Sequence, residues 1–272
     1  DSSSDVCSSD LLYREAQALP ADQLPPLPDN SAVPKREPNA IEANMKEISV
    51  TPAKLIRKDY NNRDWRNYRW IYCRLTERVD AQIGRLLDAL KVHDLEKNTL
   101  VIFTSDHGDM DGSHRLASKN VFYENSVGVP FMMQYKGVIP AGVVDNNSLV
   151  SNGLDVLPTL CDYAGVSIPN YLLGRTLRPV AEGRGDNARR PYVVAENNAG
   201  RMLRSDRYKY CVYTSGVIRE SLVDLKTDPG EMKNLAGLPQ FHKTLNQHRD
   251  YLTQWIVESK DTPAKSFAIA PD

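Results

Sequence analysis

Between Trp65 and Leu90 apolar residues recur at steps of three and four: Trp65, Tyr68, Tyr72, Leu75, Val79, Ile83, Leu86 and Leu90. That period predicts one long amphipathic helix over 62–93, with Asn62 or Asp64 placed to cap its start. Arg66, Arg69, Arg74, Glu77, Arg78 and Arg85 take the other positions and read as a solvated face. After the turn Asp94–Asn98 the pattern changes. Four consecutive apolar residues, Leu100 to Phe103, predict a strand over 99–104, buried on both faces as in a parallel sheet. Further strands are predicted over 131–135 and 148–151. The run DVLPTLCDYAG predicts a helix capped by Asp155, with Pro158 in its first turn and Gly165 past its end. Helix, turn, buried strand and polar loop is α/β order.

Beyond Leu177 the spacing shortens. A polar linker over 181–190 leads into four strand-like pieces, 192–196, 201–204, 208–213 and 220–224, whose close turns predict an antiparallel sheet. A last helix is expected over 239–258. At the other end, residues 12–53 carry seven prolines, at 20, 25, 26, 28, 34, 38 and 52, and read as an extended loop that enters a domain midway. Residues 1–11, DSSSDVCSSDL, have no periodicity and read as a non-native or disordered leader. The expected organisation is therefore the leader, an α/β part over 12–180, and a small α+β subdomain over 181–272.

Composition narrows this reading little. The 272 residues carry a net charge of −1, which gives no electrostatic bias toward nucleic acid or a membrane surface. No apolar run approaches the roughly 20 residues of a membrane span, and no apolar core near residue 1 marks a secretory signal. Cys7, Cys73, Cys161 and Cys211 form no CxxC pair and read as free or buried thiols.

The chemistry concentrates in NTLVIFTSDHGDMDGSHRLASK, Asn98 to Lys119. Asp106 and His107 follow directly on a buried strand, where an open α/β sheet presents its ligands. Together they could offer a carboxylate oxygen and an imidazole nitrogen to one divalent cation; equally, the pair suits a turn that caps the next segment. A hard cation such as calcium takes six to eight oxygens, so two donors are not a site. Lys119 could hold an anionic oxygen. His114 could act as a general acid or an anion donor. Asp109 and Asp111 read as loop carboxylates.

The run FTSDHGDMDGSHRLASKNVFYENSVGVPFMM resembles the central motif of the sulfatases, in the alkaline-phosphatase-like superfamily. YCRLTERVDAQIGRLLDAL, DVLPTLCDYAG, RSDRYKY and LVDLKTDPGEMKNLA resemble further family segments in the family's order, over roughly 55–260. The resemblance implies part of an alkaline-phosphatase-like sandwich, with a mostly parallel central sheet and a small carboxy-terminal α+β subdomain. It implies that Asp106 and His107 are calcium ligands and that Lys119 and His114 contact the sulfate. Arg115, Tyr123, Asn197, Asn198 and Arg201 are candidates for contacts to the alcohol, Arg201 being taken forward as substrate-binding.

The departures carry as much weight. The family's nucleophile is a formylglycine made in a Cys/Ser-x-Pro-x-Arg motif, and none of the four cysteines begins one. The family's early Asp-Asp calcium ligands are absent too. The chain therefore reads as the carboxy-terminal portion of a sulfatase, inactive alone, its sheet left with an unpaired edge and an exposed core face. The parent is expected to hydrolyse an organic sulfate monoester, a carbohydrate sulfate by family habit, using calcium and formylglycine. A periplasmic or secreted location is favoured by family habit, and oligomeric state is unread. Two alternatives stay open: a phosphonate or phosphate ester hydrolase of the same superfamily, and a non-enzymatic binding module.

Overall fold

A computed structural model describes residues 8–47, 57, 59–185 and 189–271. Its helices are α1 (Ser8–Ala18), α2 (Asn39–Glu47), α3 (Asn62–Val92), α4 (Glu124–Val127), α5 (Asn152–Ala164), α6 (Arg178–Ala181) and α7 (His242–Ser259). Its strands are β1 (Val101–Thr104), β2 (Phe131–Gln134), β3 (Val193–Asn197), β4 (Gly200–Arg204), β5 (Tyr208–Tyr213) and β6 (Glu220–Asp224). No helix among the described residues is long and apolar enough to cross a membrane.

The helix α3 starts where its cap chemistry dictates, one residue earlier than the sequence reading placed the cap. Asn61 Oδ1 accepts from the Arg63 and Asp64 amides at 2.7 and 3.2 Å, and Asp64 Oδ2 accepts from the Asn61 amide at 2.9 Å. This reciprocal capping box satisfies otherwise orphaned N–H donors. Three arginines of α3, at steps of three, are half-buried and bonded to the chain rather than free in solvent. Arg63 donates to the Gln17 and Leu19 carbonyls at 3.0 and 2.6 Å. Arg66 donates to Ala21, to Leu24 at 2.5 Å and to Pro25 at 2.8 Å, and Arg69 to Pro26. Prolines bring no N–H, so this segment has few local donors for its carbonyls, and the guanidinium row supplies further ones.

The loop reading of 12–53 is corrected in two places. Leu12 and Ala16, four apart on α1, are buried. Ala40 and Ile41 of α2 are buried as well. The prolines outweighed these short apolar pairs in the sequence. Of the segment set aside as a leader, residues 1–7 lie outside the described residues, and residues 8–11 form the start of α1.

β1 is corrected in its pairing. It runs antiparallel to β2, with Phe103 opposite Met132 and Thr104 opposite Phe131, and these two strands form a sheet of their own among the described residues. Neither strand is fully buried. The strand predicted over 148–151 is absent: Asp145 folds the preceding turn by accepting from the Asn147 and Ser148 amides, and Leu149 and Val150 find no partner strand. α5 begins at Asn152, ahead of Asp155. The Asp155 carboxylate is fully buried and accepts from the Ser151 and Arg175 amides and from Arg190 at 2.5 Å, which makes it a tether between segments. Gly165 ends α5 in the left-handed region, at φ 67°.

The second sheet is an antiparallel meander in the order β3-β4-β5-β6. Period-two alternation divides its side chains. Leu203, Tyr210, Val212 and Leu222 face Leu245, Leu252 and Ile256 of α7. Met202, Cys211 and Tyr213 face the other way, onto Ile41, Met110, Leu116, Val121 and Phe122. The segment after β1 is thus packed on the second sheet, and one core joins residues on both sides of 181.

Lys209 crosses this interface with a fully buried ammonium group. It pairs with Glu231 and, at 3.2 Å, with Glu124, while Arg204 meets Glu124 at 3.3 Å. Glu231 also accepts from the Glu124 amide at 2.6 Å. Burial opposes the charge on Lys209, and the two carboxylates outweigh it, so its pKa stays raised. Replacing Lys209 with Met leaves Glu231 without its cation, while Glu124 still faces Arg204, and an unpaired buried charge costs about 3–5 kcal/mol. We expect K209M to lower the urea-unfolding midpoint accordingly, and the double variant K209M/E231Q to recover part of the loss; equal midpoints for K209M and the wild type would contradict the assignment.

Candidate functional site

At the end of β1 the backbone is fixed before any functional side chain is placed. Asn152 Nδ2 donates to the Ser105 carbonyl at 2.5 Å, Ser105 Oγ donates to the His107 carbonyl at 2.7 Å, and the Gly108 backbone amide donates to the Ser126 carbonyl at 2.8 Å. Gly108 is required here: a Cβ at this position would stand 2.0 Å from the Asn125 carbonyl oxygen.

Asp106, His107 and Lys119 come together. His107 Nδ1 donates to the Gly108 carbonyl at 2.8 Å, which leaves the Nε2 lone pair free to accept. Lys119 Nζ donates to it at 2.5 Å, and Asp106 Oδ2 lies 3.3 Å from the same nitrogen. The Asp106 side chain is 81% exposed. Slight desolvation raises its pKa, but the His107 amide, the imidazole and Lys119 prevail and hold it below the ordinary carboxylate value. The result is an open carboxylate, an oriented imidazole and an ammonium group on one strand end.

The loop that follows is pinned from α3. Tyr68 Oη lies 3.0 Å from both Asp109 oxygens, and Arg69 Nε donates to Asp111 Oδ2 at 3.0 Å. Burial raises the pKa of both carboxyl groups; it is opposed at Asp109 by the Asp111 amide and Tyr68, and at Asp111 by Arg69. Among the described residues, five of the eight non-glycine positions with positive φ fall in this loop: Asp111, His114, Arg115, Ser118 and Asn120. Such conformations persist only where the surroundings over-determine them.

His114 is not brought to Lys119. Its ring is fully buried and stacks on Tyr123 with centroids 3.8 Å apart, and Nε2 faces Asn30 Nδ2 at 3.4 Å. The Tyr123 hydroxyl donates to Glu37 at 2.7 Å, and Arg57 grips Glu37 at 2.7 and 2.9 Å while donating to the His114 carbonyl. Burial first, then Arg57 and Lys209, press the His114 pKa down to about 4. Arg201 also lies elsewhere: it holds Asp261 at 2.5 and 2.9 Å and stands over the Phe267 ring. The exposed anion that a substrate would offer is already supplied by Asp261. Of the other specificity candidates, Arg115 donates to Asn62, Tyr123 is buried beneath His114, and Asn197 donates to the Asn120 carbonyl beside Lys119. Asn30, Glu37, Arg57 and the hydroxyl of Tyr68 were missed by sequence reasoning. Their partners lie 20 to 86 residues away, and no local spacing signals them.

Among the described residues no three His, Cys, Asp or Glu side chains gather into a group that could hold a metal ion. Asp106 and His107 supply two donors where a calcium ion takes six to eight oxygens, so these residues do not by themselves fit the ion. Cys211 offers no nucleophile, because burial pushes its thiol up to about 12. A cleft of about 850 Å³ opens beside the strand end, bounded by Asn152, Phe131, Arg189, Arg204 and Lys226.

The profile of the sulfatase family matches residues 26–166, and that of the N-sulphoglucosamine sulphohydrolase carboxy-terminal region matches residues 112–258. The chain belongs to the sulfatase family. It is 36% identical over 248 residues to the Delta 4,5-hexuronate-2-O-sulfatase of Bacteroides thetaiotaomicron, an alignment that takes in 88% of this chain and 51% of that one. The solved structure of a 2-O GAG sulfatase superposes with a TM-score of 0.82 at 34% identity, over 91% of this chain and 55% of that one. A structure solved in complex with D-glucosamine-2-N,6-O-disulfate superposes with a TM-score of 0.67 at 29% identity, over 73% and 42%. The chain thus spans about half the length of the curated sulfatase it matches over most of its own length. The α/β fold expected for the sulfatase family holds, and the antiparallel β1–β2 pair is one local part of it.

Two outcomes test the geometry. Gly108→Ala forces the Asn125 carbonyl to move, and overpacking of this kind costs about 1–3 kcal/mol; the urea midpoint should fall by that amount, and an unchanged midpoint would refute the close approach. His114 has a folded pKa below its ordinary 6.5, so its contribution to stability is full above pH 6.5 and is lost as the pH falls toward 4. Asparagine tolerates the left-handed backbone at this position, where φ is 54°. The stability difference between wild type and H114N should therefore shrink between pH 7 and pH 4, and a constant difference would show that His114 does not titrate this way.

Proposed function

We propose that the protein of which this chain forms part is a sulfatase acting on a sulfated sugar of glycosaminoglycan type. The reading is carried by one observation: Asp106, His107 and Lys119 converge on a single strand end in a chain of the sulfatase family. The substrate class is supported by what is said of the relatives, a hexuronate-2-O-sulfatase, a 2-O GAG sulfatase and a protein bound to a disulfated glucosamine.

Each residue then has a task set by its chemistry. The Lys119 ammonium is a mobile point charge, half-buried and within reach of an anion at the strand end; it leaves His107 to take a sulfate oxygen and offset the charge that builds on it. His107 keeps its Nε2 lone pair directed into the site because Nδ1 is committed to Gly108. Asp106 supplies an ionised oxygen. Asp109 and Asp111 hold the loop to α3, and His114 braces it from beneath without entering the chemistry. The cleft beside Asn152 gives a sugar room to lie, with Arg189, Arg204 and Lys226 along its wall.

Family membership also brings calcium and a formylglycine nucleophile into the reading. Calcium, when bound, would polarise the sulfate oxygens; Asp106 and His107 would be two of its ligands, and no third His, Cys, Asp or Glu side chain gathers with them among the described residues. The nucleophile motif is absent from the sequence. We therefore expect this chain alone to release no sulfate from an aryl sulfate or a 2-O-sulfated unsaturated uronate. In a protein of full family length carrying these residues, Lys119→Ala should lower kcat about 10²–10³-fold, as loss of one oxyanion-stabilising group does, and Asp106→Ala should abolish turnover at ordinary calcium. Sulfate release by this chain that survives both substitutions would overturn the proposal. Faster cleavage of a phosphonate monoester than of the matching sulfate would favour the phosphonate hydrolase reading instead.

A further inference from the structure

Lys119 stands between two residues in left-handed conformations. Ser118 has φ 65° and Asn120 has φ 75°, a region that side-chain-bearing residues keep only where the surroundings hold them. A lysine stem is flexible and gives its own ammonium group no fixed place. The reach of Lys119 therefore starts from a backbone that other groups must fix. Two hydrogen bonds flank it. On the amino-terminal side the Met110 amide donates to the Ser118 carbonyl at 2.9 Å, a bond made within the motif loop. On the carboxy-terminal side the Asn120 carbonyl accepts from Asn197 Nδ2 at 3.0 Å, across 77 residues of sequence. The first clamp is local; the second comes from the end of β3 in the meander.

Asn197 is itself oriented for this bond. It ends β3 and pairs with Gly200 across the turn Asn198–Ala199. Its Oδ1 accepts from the Ala199 amide at 2.9 Å, which turns the side-chain amide so that its donor end faces Asn120. Its backbone carbonyl accepts from Arg201 Nη1 at 3.0 Å, and Asp261 grips Arg201 at 2.5 and 2.9 Å. The hairpin end cannot drift either. The Thr214 amide donates to the Ala199 carbonyl at 2.8 Å, and a Cβ on Gly200 would stand 2.2 Å from the Val212 carbonyl oxygen. The contacts run from Asp261 through Arg201 and Asn197 to Asn120, and end one residue from Lys119. We infer that Asn197 is a positioning residue for Lys119, with Arg201 and Asp261 fixing Asn197 from behind. Its effect on catalysis rests on the role proposed for Lys119; its hold on the Lys119 backbone does not.

Two variants isolate the donor. Asn197→Asp keeps an acceptor for the Ala199 amide and removes the Nδ2 group; Asn197→Ala removes both and adds no charge. In this chain, backbone ¹⁵N relaxation should report lower order at Lys119, Asn120 and Val121 in both variants, while Leu203 and Val212 in the meander stay rigid. Unchanged order at 119–121 would overturn the inference. In a protein of full family length carrying these residues, both variants should lower kcat at least about tenfold and change KM less than about twofold, as misplacement of a reacting group does. In the Lys119→Ala background either one should cost less than about twofold more, because both changes then remove the same contribution. A loss confined to KM would place Asn197 against the sugar, and a full tenfold cost that persists without Lys119 would place its effect elsewhere; either result overturns the inference. If Lys119→Ala costs nothing, the proposed site chemistry fails, and the relaxation measurement still decides whether Asn197 holds Lys119.

Discussion

The arrangement depends on a charge that water does not reach. Lys209 is the second residue of β5, and its buried ammonium group meets Glu231 and Glu124. A cation so placed is tolerable only with both carboxylates in position, which fixes three separate segments at once. Glu124 opens the short helix that follows the motif loop, and Glu231 lies in the turn after β6. The sheet therefore does more than cover the motif loop; it sets where the loop's far end must be, and through the Gly108–Ser126 hydrogen bond it sets where the strand end turns.

That constraint explains how a loop of unfavourable backbone conformations can be stable. Five left-handed non-glycine residues within ten positions would not hold their shape as a free segment. Here the loop is held by Tyr68 and Arg69 from α3, by the Asn30–His114–Tyr123–Glu37 contacts from beneath, and by Met202, Cys211 and Tyr213 of the sheet. Asp106, His107 and Lys119 are turned toward one another at the strand end. Asp109 and one oxygen of Asp111 are committed instead to α3, where they hold the loop's shape.

The elements that were legible in the sequence are those with strong local periods. α3, the four strands of the meander and α7 follow directly from spacings of 3.6 and 2. The convergence of Asp106, His107 and Lys119 was legible because they sit beside a short apolar strand. His114 was expected beside Lys119; its neighbours in space are instead Asn30 and Tyr123, which no local spacing signals. Arg201 is engaged in the same way by a distant partner, Asp261, lying 60 residues on. α1 and α2 were hidden because two buried residues each, at i,i+4 or adjacent, carry less signal than a run of prolines. The pairing of β1 was misread because an apolar tetrapeptide looks the same in a buried parallel strand and in an uncovered antiparallel one.

The arginine row on α3 has a consequence of a different kind. Arg63, Arg66 and Arg69 hold segment 17–26 entirely through its carbonyl oxygens. Every residue type has a carbonyl, so the grip reads the path of the chain and is blind to its side chains. Substitutions along this segment that keep the backbone conformation leave the grip intact. Inserting or deleting one residue shifts every downstream oxygen by about 3.3 Å, off a helical ladder whose rungs are set three residues apart. Toward this grip the segment is free in composition and strict in length; only the buried Leu24 adds a side-chain requirement of its own.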